Sequence, residues 1–133
     1  MISFSFPGEP VPKARPRVVK GNTYTPALTL QAERALGWKF KEAARGYTPL
    51  AVTEFGVKMT FYCGHKRRRD IDNLVKLCLD ALNGVAYKDD AQVTEIRARK
   101  VYVPVSQART EVEVWPGGFP QETAGNHEAA RSF

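Results

Sequence analysis

Alternation of apolar and polar residues predicts the strands of this chain. In residues 2–6 apolar side chains alternate with serines, and in residues 52–63 nearly every second position is apolar. This alternation is typical of strands with one buried face. Residues 93–103 and 109–115 show a similar pattern, and we expect them to form two antiparallel strands joined by a turn at residues 104–108.

A period of about 3.6 residues between apolar positions predicts two helices. The first covers residues 27–45, with Thr25 as N-cap, Pro26 at the first helical position and Gly46 as the stop. The second covers residues 72–83. The order strand, helix, strand, helix, strand, strand predicts an α+β fold: a single domain with one mixed sheet of about four strands and two main helices.

Length and composition indicate one domain followed by a tail. The chain has 133 residues, and residues 1–116 contain all the predicted elements. Residues 117–133 are rich in Gly, Ala, Glu and Ser and lack periodicity, which predicts a flexible C-terminal tail. No apolar run suits a membrane span, the N-terminus does not read as a signal peptide, and two cysteines make no disulfide framework. We therefore expect a cytoplasmic protein with reduced thiols and no membrane contact.

The net charge points to nucleic acid as a partner. Lys and Arg number 20 against 14 acidic residues, giving +6, and clustered positive charge is common in nucleic-acid-binding proteins. A proline-rich segment, GEPVPKARPRVVKG, carries Lys13, Arg15, Arg17 and Lys20. Prolines favour extended backbone. The segment would form a stiff arm suited to a phosphate backbone, or alternatively a solvated connector.

A second basic cluster adjoins acidic residues. It consists of His65, Lys66, Arg67, Arg68 and Arg69. Such a run is usually a solvated loop, but this one is followed at once by Asp70 and Asp72. Cations beside an acidic site would let a polyanion approach the carboxylates in spite of charge repulsion.

The second helix carries charged residues along one ridge. Asp72, Lys76 and Asp80 follow one another at intervals of four residues, and Asp70 lies just before the first turn. One interpretation is structural: Asp70 caps the helix, Asp72 favours the helix dipole, and Lys76 forms ordinary i,i+4 pairs. The other is that these carboxylates belong to an active site.

A second acidic pair favours the active-site interpretation. Asp89 and Asp90 lie in a loop that the chain should bring back beside the same sheet. Clustered aspartate oxygens suit Mg²⁺, whereas the two histidines and two cysteines lack zinc-site spacing, and the common phosphate-binding glycine motifs are absent. The chemistry indicated is metal-assisted phosphodiester hydrolysis, with Lys76 as a nearby stabilising cation.

These motifs resemble a known family. The segment RRRDIDNLVKLCLDALNGVAYKDDAQV is similar to the core signature of the RusA family of Holliday junction resolvases. The upstream GEPVPKARPR and the downstream Lys100 in RARKVYV also resemble that family, especially members carried by phages and prophages. The resemblance covers roughly residues 2–115.

The resemblance implies both an activity and a set of roles. The activity is a Mg²⁺-dependent endodeoxyribonuclease, with Mn²⁺ as a possible substitute, which acts as a homodimer and nicks four-way DNA junctions symmetrically in recombination and repair. It needs no small-molecule cofactor, and it would act in a bacterial or phage-infected cell. By position in the signature, the catalytic residues are Asp70, Asp72, Asp90 and Lys76. The metal-binding residues are Asp70, Asp72 and Asp90, with Asp89 binding metal indirectly or orienting the loop. Asn73 and Asp80 support the site. The two basic segments described above, together with Lys100 of the resemblance, supply the residues that DNA would contact: Lys13, Arg15, Arg17, Lys66, Arg67, Arg68, Arg69 and Lys100.

Two other functions stay open. A basic module could bind junctions without cutting them and use its aspartates only as structural caps. A less selective Mg²⁺ nuclease acting on flaps or other branched DNA would share every acidic residue. Metal-dependent cleavage separates the first from a resolvase, and substrate competition separates the second.

Overall fold

The computed structural model describes residues 1–47 and 52–121. Its helices and strands are β1 (Ile2–Pro7), β2 (Arg17–Val19), β3 (Asn22–Tyr24), α1 (Ala27–Ala43), β4 (Phe55–Cys63), α2 (Ile71–Leu82), β5 (Val93–Tyr102) and β6 (Arg109–Pro116). Short 3₁₀ turns, Asp90–Gln92 and Val105–Gln107, precede β5 and β6. No helix in these ranges is long and apolar enough to cross a membrane.

Four strands form one mixed sheet in the order β1-β6-β4-β5. β6 is antiparallel to both β1 and β4, whereas β5 is parallel to β4. The predicted α+β domain with a mixed four-stranded sheet and two main helices is confirmed. The prediction that the last two strands pair with each other is wrong, because β4 lies between them. β4 has a wholly buried apolar face, and the central position gives this strand a partner on each edge.

The core lies between the sheet and the two helices. The inward side chains of β4 are Phe55, Val57, Met59, Phe61 and Cys63, all essentially buried. Helices α1 and α2 approach closely at Gly37, where a Cβ atom would lie 3.0 Å from the carbonyl oxygen of Ala81. Cys63 and Cys78 are both free and buried, and burial raises the pKa of the Cys78 thiol to about 12.

Element boundaries shift by a few residues from those predicted. α1 begins after Pro26, which occupies the N-cap position without a side-chain cap, so Thr25 is not the cap. The helix ends at Ala43, and the chain turns at Gly46 with a positive φ of 76°. α2 begins at Ile71. β4 begins at Phe55, three residues later than the predicted start at residue 52.

The proline-rich arm continues into a small hairpin that the pattern did not predict. β2 pairs antiparallel with β3 across Lys20 and Gly21, which have φ values of 52° and 81°. Two successive positive φ values are the signature of a tight I′ hairpin turn. Gly21 was the available sequence signal. Arg15 and Arg17 are exposed at the start of this hairpin.

The chain packs against the sheet for a few residues beyond the predicted boundary at 116. The Gly117 N–H donates to the Glu54 carbonyl at 2.8 Å. The ring of Phe119 lies 5.8 Å from that of Trp115, and the Arg97 guanidinium stacks on Phe119 at 4.1 Å. The rest of the predicted tail, residues 122–133, lies outside the described residues.

Candidate active site

The carboxylate of Asp70 lies at the N-terminus of α2 and does not cap the helix. Asp70 occupies the N-cap position, but its side chain makes no capping hydrogen bond. Its side-chain contact is with Arg68 Nε at 3.4 Å, and 52% of the side chain is exposed. The structural interpretation of Asp70 as a helix cap is therefore wrong for the side chain, although the position is right.

The charged ridge of α2 is not a ladder of i,i+4 pairs. Asp72 is exposed, and its Oδ1 accepts the N–H of Asn73 at 2.9 Å. Within the described part of the chain, Lys76 forms no salt bridge with Asp72 or Asp80. Asp80 pairs instead with Lys13, at 3.2 Å. Lys76 is thus exposed on the ridge without the intrahelical pairing that the structural interpretation required.

Asp89 organises the loop that carries Asp90. Its Oδ1 accepts the N–H of Ala91 at 3.1 Å, and the Gln92 side chain accepts the N–H of Asp89, also at 3.1 Å. This capping box fixes the 3₁₀ turn Asp90–Gln92. The hydrogen bond from Ala91, followed by one with Asp90, lowers the pKa of Asp89. Of the two roles assigned to Asp89, these contacts favour orienting the loop.

Asp90 lies in a negative field. The hydrogen bond with the Asp89 carboxyl group is the largest cause that raises the pKa of Asp90, and burial and the charges of Asp89 and Asp80 add to it. Lys76 acts in the opposite direction. The charges of Asp80 and Lys76 therefore act on Asp90 in opposite directions. A bound cation would relieve the repulsion between the carboxylates.

The acidic residues suit a hard cation by chemistry but do not form a closed cage. Across residues 1–47 and 52–121, no group of three His, Cys, Asp or Glu side chains converges in a way that could hold a metal ion. Mg²⁺ commonly uses one or two carboxylates and keeps several waters, with phosphate oxygens completing its shell. An open site of exposed carboxylates fits that requirement. One or two of the carboxylates of Asp70, Asp72 and Asp90 could hold the ion in this arrangement.

Arg69 differs from the rest of the basic cluster because its side chain is buried. Only 5% of it is exposed, against 90% for Arg68. Its guanidinium donates to Glu9 Oε1 at 3.0 Å and to the carbonyl of His65 at 2.6 Å. We expected Arg69 to contact DNA, but the structure places it in an internal network that joins the basic loop to the N-terminal arm.

Two more of the expected DNA-binding cations are engaged inside the protein. Lys13 Nζ lies 2.7 Å from Glu33 and 3.2 Å from Asp80. Burial alone would lower the pKa of Lys13, but the two carboxylates outweigh it and the pKa is raised. Lys100 Nζ donates to the Arg69 carbonyl at 2.7 Å. Five predicted cations stay exposed: Arg15, Arg17, Lys66, Arg67 and Arg68.

Glu9 is the site residue that sequence reasoning missed. It accepts the N–H of Gly64 with both oxygens, at 3.0 and 3.1 Å, as well as the Arg69 guanidinium. Burial raises the pKa of Glu9, but these hydrogen bonds and the charges of His65 and Arg69 together lower it. A Cβ on Gly64 would overlap the Glu9 carboxylate and lie 2.7 Å from Val105 Cα. The available signal was an acidic residue and a glycine, each beside a basic segment.

An α+β domain with free carboxylates beside exposed cations has the features of a nuclease domain. The family model described as Endodeoxyribonuclease RusA matches residues 7–115. The chain therefore belongs to the RusA endodeoxyribonuclease family, which confirms the resemblance seen in the sequence. No curated protein matches the chain. Membership makes the protein a DNA endonuclease, a hydrolase of phosphodiester bonds, in a family that is generally dependent on divalent metals and acts on branched DNA.

Proposed function

We propose that this protein is a Holliday junction resolvase that hydrolyses one phosphodiester bond in each of two strands of a four-way junction, with Mg²⁺ as cofactor. The observation that carries the proposal is the carboxylate of Asp70, which stands at the start of α2 without a capping bond and half exposed. A carboxylate with no structural task, next to exposed Asp72 and downstream of an exposed basic loop, is available for chemistry.

The residues divide the chemical work between them. Asp70, Asp72 and Asp90 would supply the carboxylates for the divalent ion, and Asp89 fixes the loop that carries Asp90. When bound, the ion would activate water and offset the charge of the scissile phosphate. The positive charge of Lys76 acts on Asp90, and it would stabilise charge that develops on the phosphate.

The exposed cations supply the path for the DNA backbone. Arg67 and Arg68 lie three and two residues before Asp70, and Arg15 and Arg17 lead into the β2–β3 hairpin. Contacts of this kind position the duplex without reading its sequence. The proposed partner is therefore recognised by its branched shape and its phosphates.

A homodimer follows from the symmetry of the substrate. A four-way junction is approximately two-fold symmetric, and one small active site cannot reach both scissile phosphates. A two-fold dimer would place two identical sites in matched positions. The oligomeric state is measured by light scattering on the protein alone and in complex with a junction.

The test is cleavage of a labelled four-way junction and of a linear duplex of the same sequence. Three proteins are assayed with Mg²⁺, with Mn²⁺ and with EDTA: wild type, Asp70→Asn and the control Glu95→Gln. Glu95 is an exposed acidic residue on β5. We expect paired symmetric nicks in the junction that require metal and Asp70 and that survive Glu95→Gln.

Other outcomes separate the remaining functions. Tight junction binding without cleavage at any Mg²⁺ or Mn²⁺ concentration would favour a binding module and refute the resolvase. Equal cleavage of flaps and junctions in competition would indicate a less selective nuclease.

Asp72→Asn and Asp90→Asn should behave like Asp70→Asn, losing cleavage while the junction still binds.

A further inference from the structure

The peptide bond between Arg69 and Asp70 is held from both sides. The carbonyl oxygen of this bond accepts a hydrogen bond from the Lys100 ammonium at 2.7 Å. The Arg69 side chain on the same residue is fixed by Glu9 at 3.0 Å and by the His65 carbonyl at 2.6 Å. The backbone that enters Asp70 is therefore anchored at two points that are distant in sequence.

Each anchor is itself attached to the rigid part of the fold. Lys100 lies within β5, where it is paired with Phe61 of the central strand. Glu9 is bound to the end of that strand through the N–H of Gly64, a position where a side chain would collide with Glu9 and Val105. The sheet thus sets the position of the peptide immediately before the helix.

This anchoring matters because the Asp70 side chain is little restrained, although the Asp70 carbonyl accepts the N–H groups of Asn73 and Leu74 in the first turn of α2. Its carboxylate makes no capping bond, and its contact with exposed Arg68 is a long 3.4 Å. The Arg69–Asp70 peptide then helps to set the position and direction of the Asp70 Cα–Cβ bond, and so the region that the carboxylate can reach. Metal ligands must be held within about 0.5 Å of their working position, and a misplacement of about 1 Å can reduce the rate about 100-fold.

We propose that Lys100 is a positioning residue of the nuclease: its ammonium fixes the Arg69–Asp70 peptide, and so the region that the Asp70 carboxylate can reach, and it does not serve as a phosphate ligand. The Glu9–Arg69 pair holds the same residue from the other side. The inference rests on the proposed function for its catalytic consequence, but the restraint on the backbone is independent of that function.

The experiment compares three variants. Lys100→Met removes the ammonium and keeps the length of the side chain, and Lys100→Arg keeps a donor. Arg99→Met is the matched control, since Arg99 is the adjacent residue of β5, is exposed on the opposite face and carries the same charge. All assays are made well below the unfolding midpoint of each variant.

Four quantities are measured: the dissociation constant for a junction without metal, the single-turnover rate at saturating junction and Mg²⁺, Mn²⁺ binding followed by water-proton relaxation, and hydrogen exchange of the amides of residues 70–74. For Lys100→Met we expect junction affinity within about twofold of Arg99→Met and a saturated rate at least tenfold lower. We also expect weaker Mn²⁺ binding and faster exchange. Lys100→Arg should recover most of each change.

Two results would overturn the inference. A loss of junction affinity with a smaller salt dependence, while the saturated rate and Mn²⁺ binding stay at the control values, would make Lys100 a phosphate ligand. Values for Lys100→Met equal to wild type in rate, metal binding and exchange would give it no role. If wild type itself fails to cleave a junction, the proposed function fails, and the exchange and Mn²⁺ measurements still decide the positioning role.

Discussion

Replacing Arg69 by methionine should destabilise the fold rather than weaken DNA binding directly. Methionine keeps much of the apolar stem and removes the guanidinium. The guanidinium is the buried partner of Glu9, and it also donates to the His65 carbonyl. Its loss would therefore release the basic loop from the N-terminal arm.

The size of the effect follows from burial and geometry. Breaking a buried ion pair by removing one partner costs about 3–5 kcal/mol. Here the cost should be smaller, because 29% of Glu9 is exposed and Glu9 keeps the N–H of Gly64. Charge-assisted hydrogen bonds contribute about 1.5–3 kcal/mol, and part of that is regained as water solvates the carboxylate. We expect a loss of about 2–3 kcal/mol, which is a fall in Tm of about 6–12 °C for a domain of this size.

The assay is urea unfolding together with thermal melting, and the control is Arg68→Met. Arg68 carries the same charge one residue earlier, but its side chain is 90% exposed, so its replacement should change stability by no more than about 0.5 kcal/mol. The refuting result is an Arg69→Met protein with the stability of Arg68→Met. That outcome would mean that Glu9 and Arg69 gain nothing from their contact in solution.

Three further perturbations test other contacts. Lys13→Met should lower the free energy of unfolding in urea by about 1–2 kcal/mol, because Glu33 and Asp80 lose the cation that they share. Lys20→Met is the exposed control, and equal stabilities of the two variants would contradict the internal role of Lys13. The pKa of Glu9 is lowered in the folded state, so its contribution to stability is present above its ordinary pKa and is lost as pH falls through the lowered value. Between pH 6 and pH 3 wild type should therefore lose more stability than Glu9→Gln, and parallel profiles would refute the shift. Phe119→Ala should cost about 1–2 kcal/mol by uncovering Gly56, whereas deleting residues 122–133 should not; the reverse order in thermal melting would contradict the packing.

Periodicity predicted the elements of the fold but not their neighbours in the sheet. Alternation in β4 identified its buried face, and the 3.6-residue period identified both helices, because these patterns reflect which side of one element meets the core. Strand pairing depends on contacts between segments that are distant in sequence, and local periodicity carries no information about those contacts. The chain order suggested a hairpin of β5 and β6, yet β4 takes the place between them.

The same limit applies to the site. The spacing of Asp70 and Asp72 and the loop pair Asp89–Asp90 could be recognised in the sequence, since each is a local motif. A run of basic residues, in contrast, gives no sign of which member is buried. The buried Arg69 guanidinium donates a hydrogen bond to Glu9, which lies sixty residues earlier in the chain. Only the folded arrangement distinguishes it from Arg68.

The division of the cations into internal and exposed sets has a measurable consequence for DNA binding. Each phosphate neutralised on duplex DNA contributes about 0.9 to the slope of log affinity against log salt concentration. Replacing the exposed set by glutamine should therefore lower the slope by about 4.5 per protomer; the set is Arg15, Arg17, Lys66, Arg67 and Arg68. Lys13→Met should leave the slope unchanged, because its ammonium already neutralises Glu33 and Asp80. A fall of less than about 1 on replacing all five would show that DNA lies on another face, and the acidic site would then need a different route for its substrate.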